Sequence, residues 1–557
     1  MIKNITHFFI VVVAAWSLSS CTPTKELDMV PEKPGKYPVW TERIKLLGAM
    51  TKYRSCFDVH YYNLDVQIDP AKKFVGGTVL IAASAVNDFD TLQIDLYPNM
   101  NLKSVSCDLG NVKYFRKEGA IFISMPRRMK TGESFSLTVS YDGSPIVARK
   151  PPWDGGFVWK KDANGNAWCG VACETEGASL WWPCKDHNSD EADSVDISVT
   201  CPSGLMAVCN GLLRDSSDAG KGWKKFHWHV SYNINNYNVT FYIGNLKLLH
   251  DTFTSITGKI IELNHYVLPE NYEKAKTQFD EVKKILAFYE KTFGAYPWQR
   301  DGFKLVNSPF EGMEHQTAIA YGSNFKDSWM GVDYIILHET AHEWWGNAIT
   351  AKDFSDVWLQ EGFATYSESL YLEQEKDKTF YNNYLYFYRL QNLNERPIVG
   401  PVGVRYFDYH DEDVYTKGAG TLQTLRATIN NDSVFFDIIK TYFSRYEYHQ
   451  ITSEEFISVV NEKTGSDYHW LFNQYLHDRR IPVLEFYWDQ GGQFAYHWVD
   501  CVDGFKMPIV IDCGDEKQTL YPTTSYQHDR ICPVSGAKQF SFDRTAKLYK
   551  LRAKSSK

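Results

Sequence analysis

His338-Glu339-Thr340-Ala341-His342 is the run of this sequence whose residue types and spacing most directly suggest chemistry. On an α-helix, His338 and His342 stand one turn apart on one face, so both imidazoles can bind a single ion while Glu339 leans toward it. Two neutral imidazoles suit zinc. A chain of this composition would produce the pattern about 0.03 times by chance. A third ligand is therefore needed before the motif carries weight.

Glu361 supplies it, with eighteen residues between it and His342, in the run Trp358 to Tyr366. Fixing that position lowers the chance expectation to about 0.002. Two His and one Glu leave zinc's fourth position for water, the layout of a catalytic site, whereas structural sites are usually closed by Cys. Seven residues on, Glu368 falls on the same helix face as Glu361 and is expected to orient a ligand histidine as a hydrogen-bond acceptor. The chemistry implied is hydrolysis: Zn²⁺ held by His338, His342 and Glu361 polarises a carbonyl, and Glu339 takes the proton of the attacking water.

Further runs share a pattern with a known family. They are Glu311-Gly312-Met313-Glu314-His315, Val414-Tyr415-Thr416-Lys417-Gly418-Ala419, and Cys173-Glu174-Thr175-Glu176-Gly177 followed by Pro183-Cys184-Lys185-Asp186. With the zinc motif, they make the chain resemble the zinc aminopeptidases that include aminopeptidase N and leukotriene hydrolase. The resemblance implies that Glu314 grips the substrate's free α-amino group with Glu174 beside it, that Gly312 and Met313 line the substrate, and that Tyr415 donates to the oxyanion. Cys173 and Cys184 would then serve packing. Two positions depart from the family's G-x-M-E-N: Glu311 replaces its Gly and His315 its Asn, and His315 is expected to pack rather than titrate in the site. Gln360 stands where the family more often has Asn, a change expected to matter little.

An exopeptidase must desolvate a charged ammonium and compensate it with carboxylates, which fits a Glu cluster near the metal. A metalloendopeptidase would keep the zinc site without needing Glu314 or Glu174. An epoxide hydrolase side activity and a non-catalytic binding lipoprotein are further alternatives, and the intact Glu339 and Tyr415 argue against the last.

The elements that must position these residues are legible as texture. From Phe57 to Leu248 the pattern alternates and is rich in β-branched and aromatic residues, whereas from Glu270 to Leu476 apolar residues recur at helical spacing; short strands return after Pro482. The expected architecture is multidomain α+β: an antiparallel N-terminal β domain over 51–264, a thermolysin-like, mainly helical catalytic domain over 265–481, and a small C-terminal β-sandwich over 482–557. By resemblance, the chain stops about where longer members add a helical domain, which would leave the cleft open to longer peptides.

At the N-terminus, Lys3, an apolar run from Phe8 to Trp16 and then Leu18-Ser19-Ser20-Cys21 read as a lipoprotein signal peptide over 1–20, with Cys21 acylated and 21–50 as a tether. That run is too short to span a bilayer. The expected location is the cell envelope, membrane-anchored, with the outer membrane of a Gram-negative bacterium favoured. The chain has 557 residues, 44% apolar and 23% charged, with 59 Lys+Arg against 68 Asp+Glu. That balance excludes a disordered chain and the basic field of a nucleic-acid binder. Ten cysteines beyond Cys21, of 11 in all, permit disulfides without pairing them.

Overall fold

The computed structural model describes residues 35–406, 411–514, 516–532, 540–543 and 545–555. The signal peptide, Cys21 and the tether up to residue 34 lie outside the described residues.

The N-terminal domain is built on a seven-stranded sheet in the order Leu212–Gly220, Trp223–Val230, Ser194–Pro202, Phe57–Asp69, Phe74–Ala85, Ser134–Gly143, Met100–Cys107. Its pairs are antiparallel except the central one, where Phe57–Asp69 runs parallel to Ser194–Pro202. Alternation explains its placement: Leu64, Val66 and Ile68 are buried, while Asp65 and Gln67 between them face solvent. A smaller sheet, Met206–Cys209, Phe241–Gly244, Ala167–Ala172 and Gly156–Lys161, shares the same core through Phe157, Val171 and Phe241. This smaller sheet matters for function. Ala167–Ala172 ends one residue before Cys173-Glu174, and Phe241–Gly244 follows a 3-10 turn over Asn236–Asn238 that carries Tyr237.

The helices, in chain order, are α1 (Glu42–Gly48), α2 (Tyr272–Gln278), α3 (Glu281–Thr292), α4 (Tyr334–Ala341), α5 (Trp358–Glu375), α6 (Lys378–Arg389), α7 (Asp413–Ile429), α8 (Asp432–Tyr446), α9 (Ser453–Thr464) and α10 (His469–Leu476). From α2 onward they form the second domain together with a five-stranded sheet ordered Lys247–Thr254, Ile260–Val267, Leu305–Asn307, Ile319–Tyr321, Gly312–Met313. The hairpin Lys247–Val267 therefore pairs with the strands of the second domain, although the expected N-terminal domain runs to 264. Alternation reports that a strand exists, not which sheet receives it. Helices α5 and α7 lie close enough that a Cβ on Gly362 would sit 3.0 Å from Gly418 Cα, so the two glycines permit the approach that sets Tyr415 beside Glu361.

The stretch read as a tether is docked over its second half. Gly35 N–H donates to Glu395 O, Leu47 of α1 is buried, and the Arg54 guanidinium donates to Leu47 O and Ala49 O. Pro and Gly suggest a loose segment, but Trp40 and Leu47 supply apolar anchors. The C-terminal region pairs Gln527–Asp529, Phe494–Val499, Val483–Trp488 and Lys550–Ala553 in one sheet and Lys517–Leu520, Ile509–Asp512 and Ser541–Phe542 in another. Trp498 and Ile511 share its apolar interior, and a disulfide joins Cys513 to Cys532. Cys173 and Cys184 are buried free thiols, in keeping with packing.

Candidate active site

Asp333 starts α4, its side chain accepting from Ile335 and Ile336 N–H, and Tyr321 O–H holds its other oxygen at 2.6 Å. The helix ends at Ala341, so His342 is its C-terminal cap rather than an interior residue; φ −63° and ψ −20° still keep it in the right-handed helical region. The two imidazoles thus share a face. Their Nε2 atoms lie 3.1 Å apart, with Glu361 Oε2 at 3.5 Å from that of His338 and 3.4 Å from that of His342.

The other ring nitrogens are occupied. His342 Nδ1 is 2.8 Å from Trp345 O, an atom that can only accept, so that nitrogen carries the proton. His338 Nδ1 is 2.6 Å from Glu368 Oε1, and Tyr384 O–H of α6 donates to the second oxygen of Glu368. Glu368 therefore orients His338, as its place on the helix face implied. When the two rings are neutral and protonated at Nδ1, as metal ligation requires, two Nε2 lone pairs and the buried Glu361 Oε2, which accepts no hydrogen bond, converge on one point. Such an arrangement is repulsive without a cation, and its two-nitrogen, one-oxygen donor set fits zinc.

Four more groups surround this point. Ligand atoms of Glu314, Glu339 and His342 lie within 4.8 Å of one another, as do those of Glu174, Glu314 and Glu361. A Cβ on Gly312 would come within 2.4 Å of Glu339 Oε1, so glycine lets the Gly312–Met313 edge strand run against this carboxylate. Tyr415 faces the same cluster, its ring 6.2 Å from that of His338. The structure thus brings together His338, Glu339, His342, Glu361, Glu368, Glu314, Glu174, Gly312 and Tyr415; Met313 is buried beside them. Cys21 lies outside the described residues. His315 packs: it is fully buried, with Nδ1 2.6 Å from Tyr242 O–H, and desolvation lowers its imidazole to about 3, which keeps it neutral.

Electrostatics follow from crowding. Burial, aided by Glu314 and Glu361 and opposed by the two histidines, pushes Glu339 up to about 8. Burial and the neighbouring Glu314, Glu361 and Glu339 hold Glu174 well above the ordinary carboxylate range. Burial also works against ionised Glu361, but the imidazoles outweigh it and bring this carboxyl down to about 2. Tyr415 is held well above the usual phenol value by burial and by Glu361, Glu174, Glu314 and Glu339, so it keeps its proton to donate.

Sequence reasoning missed three participants. Tyr237 donates from its hydroxyl to Glu314 Oε1 at 3.2 Å, Gln360 Nε2 donates to that hydroxyl at 3.1 Å, and Arg405 donates to Glu174 O at 3.2 Å while bonding Asp186 Oδ1 at 3.1 Å. Gln360, which stands where the family more often has Asn, is 1% exposed, and both ends of its amide are engaged. A usable signal existed for Tyr237, which stands among Asn235, Asn236 and Asn238 just ahead of an apolar strand, an unusual density of amides for a buried segment.

Comparison with known proteins gives a consistent picture. A model of the peptidase M1 N-terminal domain matches residues 59–237, and a model of the peptidase family M1 domain matches 277–475. Endoplasmic reticulum aminopeptidase 1 of Rattus norvegicus is 25% identical over 303 residues, covering 51% of this chain and 32% of that protein. Probable aminopeptidase 2 of Sulfurisphaera tokodaii is 26% identical over 415 residues, covering 69% and 49%. The chain thus spans between a third and a half of these curated relatives. Among solved structures, an M1 zinc metallopeptidase from Deinococcus radiodurans bound to a Tyr-Ser-Ala substrate superposes with a TM-score of 0.64 at 21% identity, over 76% of this chain and 94% of that one. At that identity the likeness shows a shared fold.

Proposed function

Because the chain belongs to peptidase family M1, we propose that it is a zinc-dependent aminopeptidase that releases N-terminal residues from peptides with a free α-amino group. The observation that carries this reading is the meeting of Glu174, Glu314 and Glu361 within 4.8 Å beside the two histidines. Carboxylates this close, two of them buried and Glu174 partly so, without a Lys or Arg ion pair among the described residues, fit a partner that brings its own positive charge. A peptide's α-ammonium is such a partner, and an acetylated N-terminus is not.

His338, His342 and Glu361 would hold one Zn²⁺ per chain. When bound, the ion polarises the scissile carbonyl and acidifies water. Glu339 then takes the proton of the attacking water and hands it to the leaving amine. Tyr415 donates to the oxygen on which negative charge develops, the contribution that is usually largest in acyl transfer. Glu314 and Glu174 bind the ammonium and so fix which peptide bond meets Glu339.

The test compares aminoacyl fluorogenic amides with their N-acetylated forms, before and after chelation, in the wild type, Glu339→Ala and Glu314→Ala. Chelator-sensitive cleavage of free amines, lost in Glu339→Ala and weakened in Glu314→Ala, is expected; indifference to acetylation would instead indicate an endopeptidase. From the N-terminal sequence we also propose acylation at Cys21 and a membrane-anchored location in the cell envelope. Incorporation of labelled palmitate, lost in Cys21→Ser, tests it.

A further inference from the structure

Tyr237 and Gln360 touch neither the histidines' ligating atoms nor the oxyanion donor, yet both are almost fully buried in the site. Their hydrogen bonds run in one direction. Ala351 N–H donates to Gln360 Oε1 at 3.2 Å, which identifies the oxygen side of that amide and leaves Nε2 as a donor only. Gln360 Nε2 donates to the Tyr237 hydroxyl at 3.1 Å, and the single phenolic proton goes to Glu314 Oε1 at 3.2 Å. The phenol enters from the N-terminal domain, on a turn that Asn235 caps by accepting from Tyr237 N–H. The same turn holds the Glu314 main chain: Asn238 Nδ2 donates to Asn347 Oδ1 at 2.8 Å, and Asn347 Nδ2 donates to Glu314 O at 2.8 Å. Both ends of Glu314 are thus pinned by one loop of the other domain.

We propose that Gln360 and Tyr237 are positioning residues for recognition of the substrate's α-ammonium, acting as a one-way hydrogen-bond relay from the Ala351 amide to Glu314. Holding Oε1 fixes the carboxylate plane and leaves the second oxygen for the incoming ammonium. The relay also compensates part of the cost of burying a carboxylate in a crowd of others. It couples the two domains at the point where the amine would bind, so substrate affinity depends on how the N-terminal domain seats its Asn235–Asn238 turn. The inference rests on the aminopeptidase reading above.

The experiment assays zinc-loaded wild type, Tyr237→Phe, Gln360→Asn and the double variant on an aminoacyl amide and on its N-acetylated form. Zinc content and melting temperature are measured for each. Tyr237→Phe is expected to raise KM for the free amine about ten- to a hundredfold, with kcat changed by less than about threefold. Gln360→Asn, one methylene too short to span Ala351 and Tyr237, raises KM less. The double variant is no worse than Tyr237→Phe, because Gln360 acts through the phenol. The residual rate on the acetylated substrate and the zinc content stay at wild-type values, so the preference for free amines shrinks.

Equal losses on both substrates, losses that multiply in the double variant, or an unchanged KM would each overturn the relay. Should Tyr237→Phe not fold, Gln360→Asn decides alone: a KM rise confined to the free amine supports the proposal, and loss of zinc refutes it. A wild type that treats free and acetylated substrates alike removes the aminopeptidase reading, and the relay with it. A discriminating wild type with insensitive variants removes the relay only.

Discussion

Two groups of buried charge flank Glu174, and they are built on opposite rules. On one side, Arg54 meets Asp95 at 2.6 Å with both side chains fully shielded, Asp186 N–H donates to Asp95 Oδ2 at 3.3 Å, and Arg405 bonds Asp186 at 3.1 Å and reaches Glu174 O. Each carboxylate there has a guanidinium from the chain itself. On the other side, Glu174, Glu314, Glu339 and Glu361 crowd together, and among the described residues no Lys or Arg pairs with any of them, the imidazoles of His338 and His342 being the nearest basic groups. The difference teaches how to separate structural from functional burial. A cluster that neutralises itself needs nothing more, whereas one left with surplus negative charge fits a cation that arrives from outside, in the proposed reading a metal and an ammonium.

The comparison breaks most visibly if the surplus side works without that cation. Chelation should abolish hydrolysis and added Zn²⁺ restore it; persistent turnover in metal-stripped protein, confirmed by elemental analysis, would end the reading. Next, Glu339→Ala should cost about a hundred- to ten-thousandfold in kcat/KM, leaving the melting temperature intact, since no structural partner is lost. The self-neutralised side should show the reverse. Arg54→Met strands Asp95 and should cost about 3–5 kcal/mol of stability, read by denaturant titration, while the molecules that remain folded keep their kcat/KM.

Glu174→Gln sharpens the contrast because stability and function should move in opposite directions. Burial, with the neighbouring carboxylates adding to it, raises the folded carboxyl, so the unfolded chain gives up its proton first and stability falls as pH climbs above the ordinary glutamate value. Removing the charge should stabilise metal-free protein at neutral pH, read by denaturant titration, while KM for free-amine substrates rises. A variant that is less stable without metal would place Glu174 with the self-neutralised group.

How much of this was written in the sequence divides along the same line. His338, Glu339, His342, Glu361 and Glu368 were legible because helical spacing is a local rule, and α4 and α5 obey it with only His342 slipping to a cap. Glu314, Glu174 and Tyr415 came through resemblance rather than spacing, since they converge from an edge strand, a turn in the other domain and α7. Tyr237 and Arg405 were not foreseen, nor was the contact of Gln360, because a hydrogen bond across 123 residues, such as Gln360 to Tyr237, leaves no periodicity to read. The pairing of the hairpin Lys247–Val267 with Leu305–Asn307 was beyond the sequence for the same reason: strand formation is local, pairing is not.

A third acidic group, at the start of α4, tests whether crowding alone marks a site. Glu281 Oε2 accepts from Asp333 N–H at 3.1 Å, and Asp327 reaches the same region through Gln278. Burial, with Asp327 and Asp333 adding to it, pushes Glu281 up to about 7. Here, however, no histidine converges, and the carboxyls are engaged by Gln278, Tyr321 and main-chain N–H groups. With the folded carboxyl above the unfolded one, the unfolded chain loses its proton first, so this residue lowers stability as pH rises through the interval from its ordinary value to about 7. Glu281→Gln should flatten that decline, gaining about 1 kcal/mol at pH 8 after allowance for its partial exposure to solvent. Chemical denaturation across pH 5–8 measures the slope, and zinc-dependent activity should not change. Were Glu281→Gln to impair catalysis as Glu339→Ala does, crowded acids would be no guide to function here, and the imidazole pair would be the only discriminating feature left.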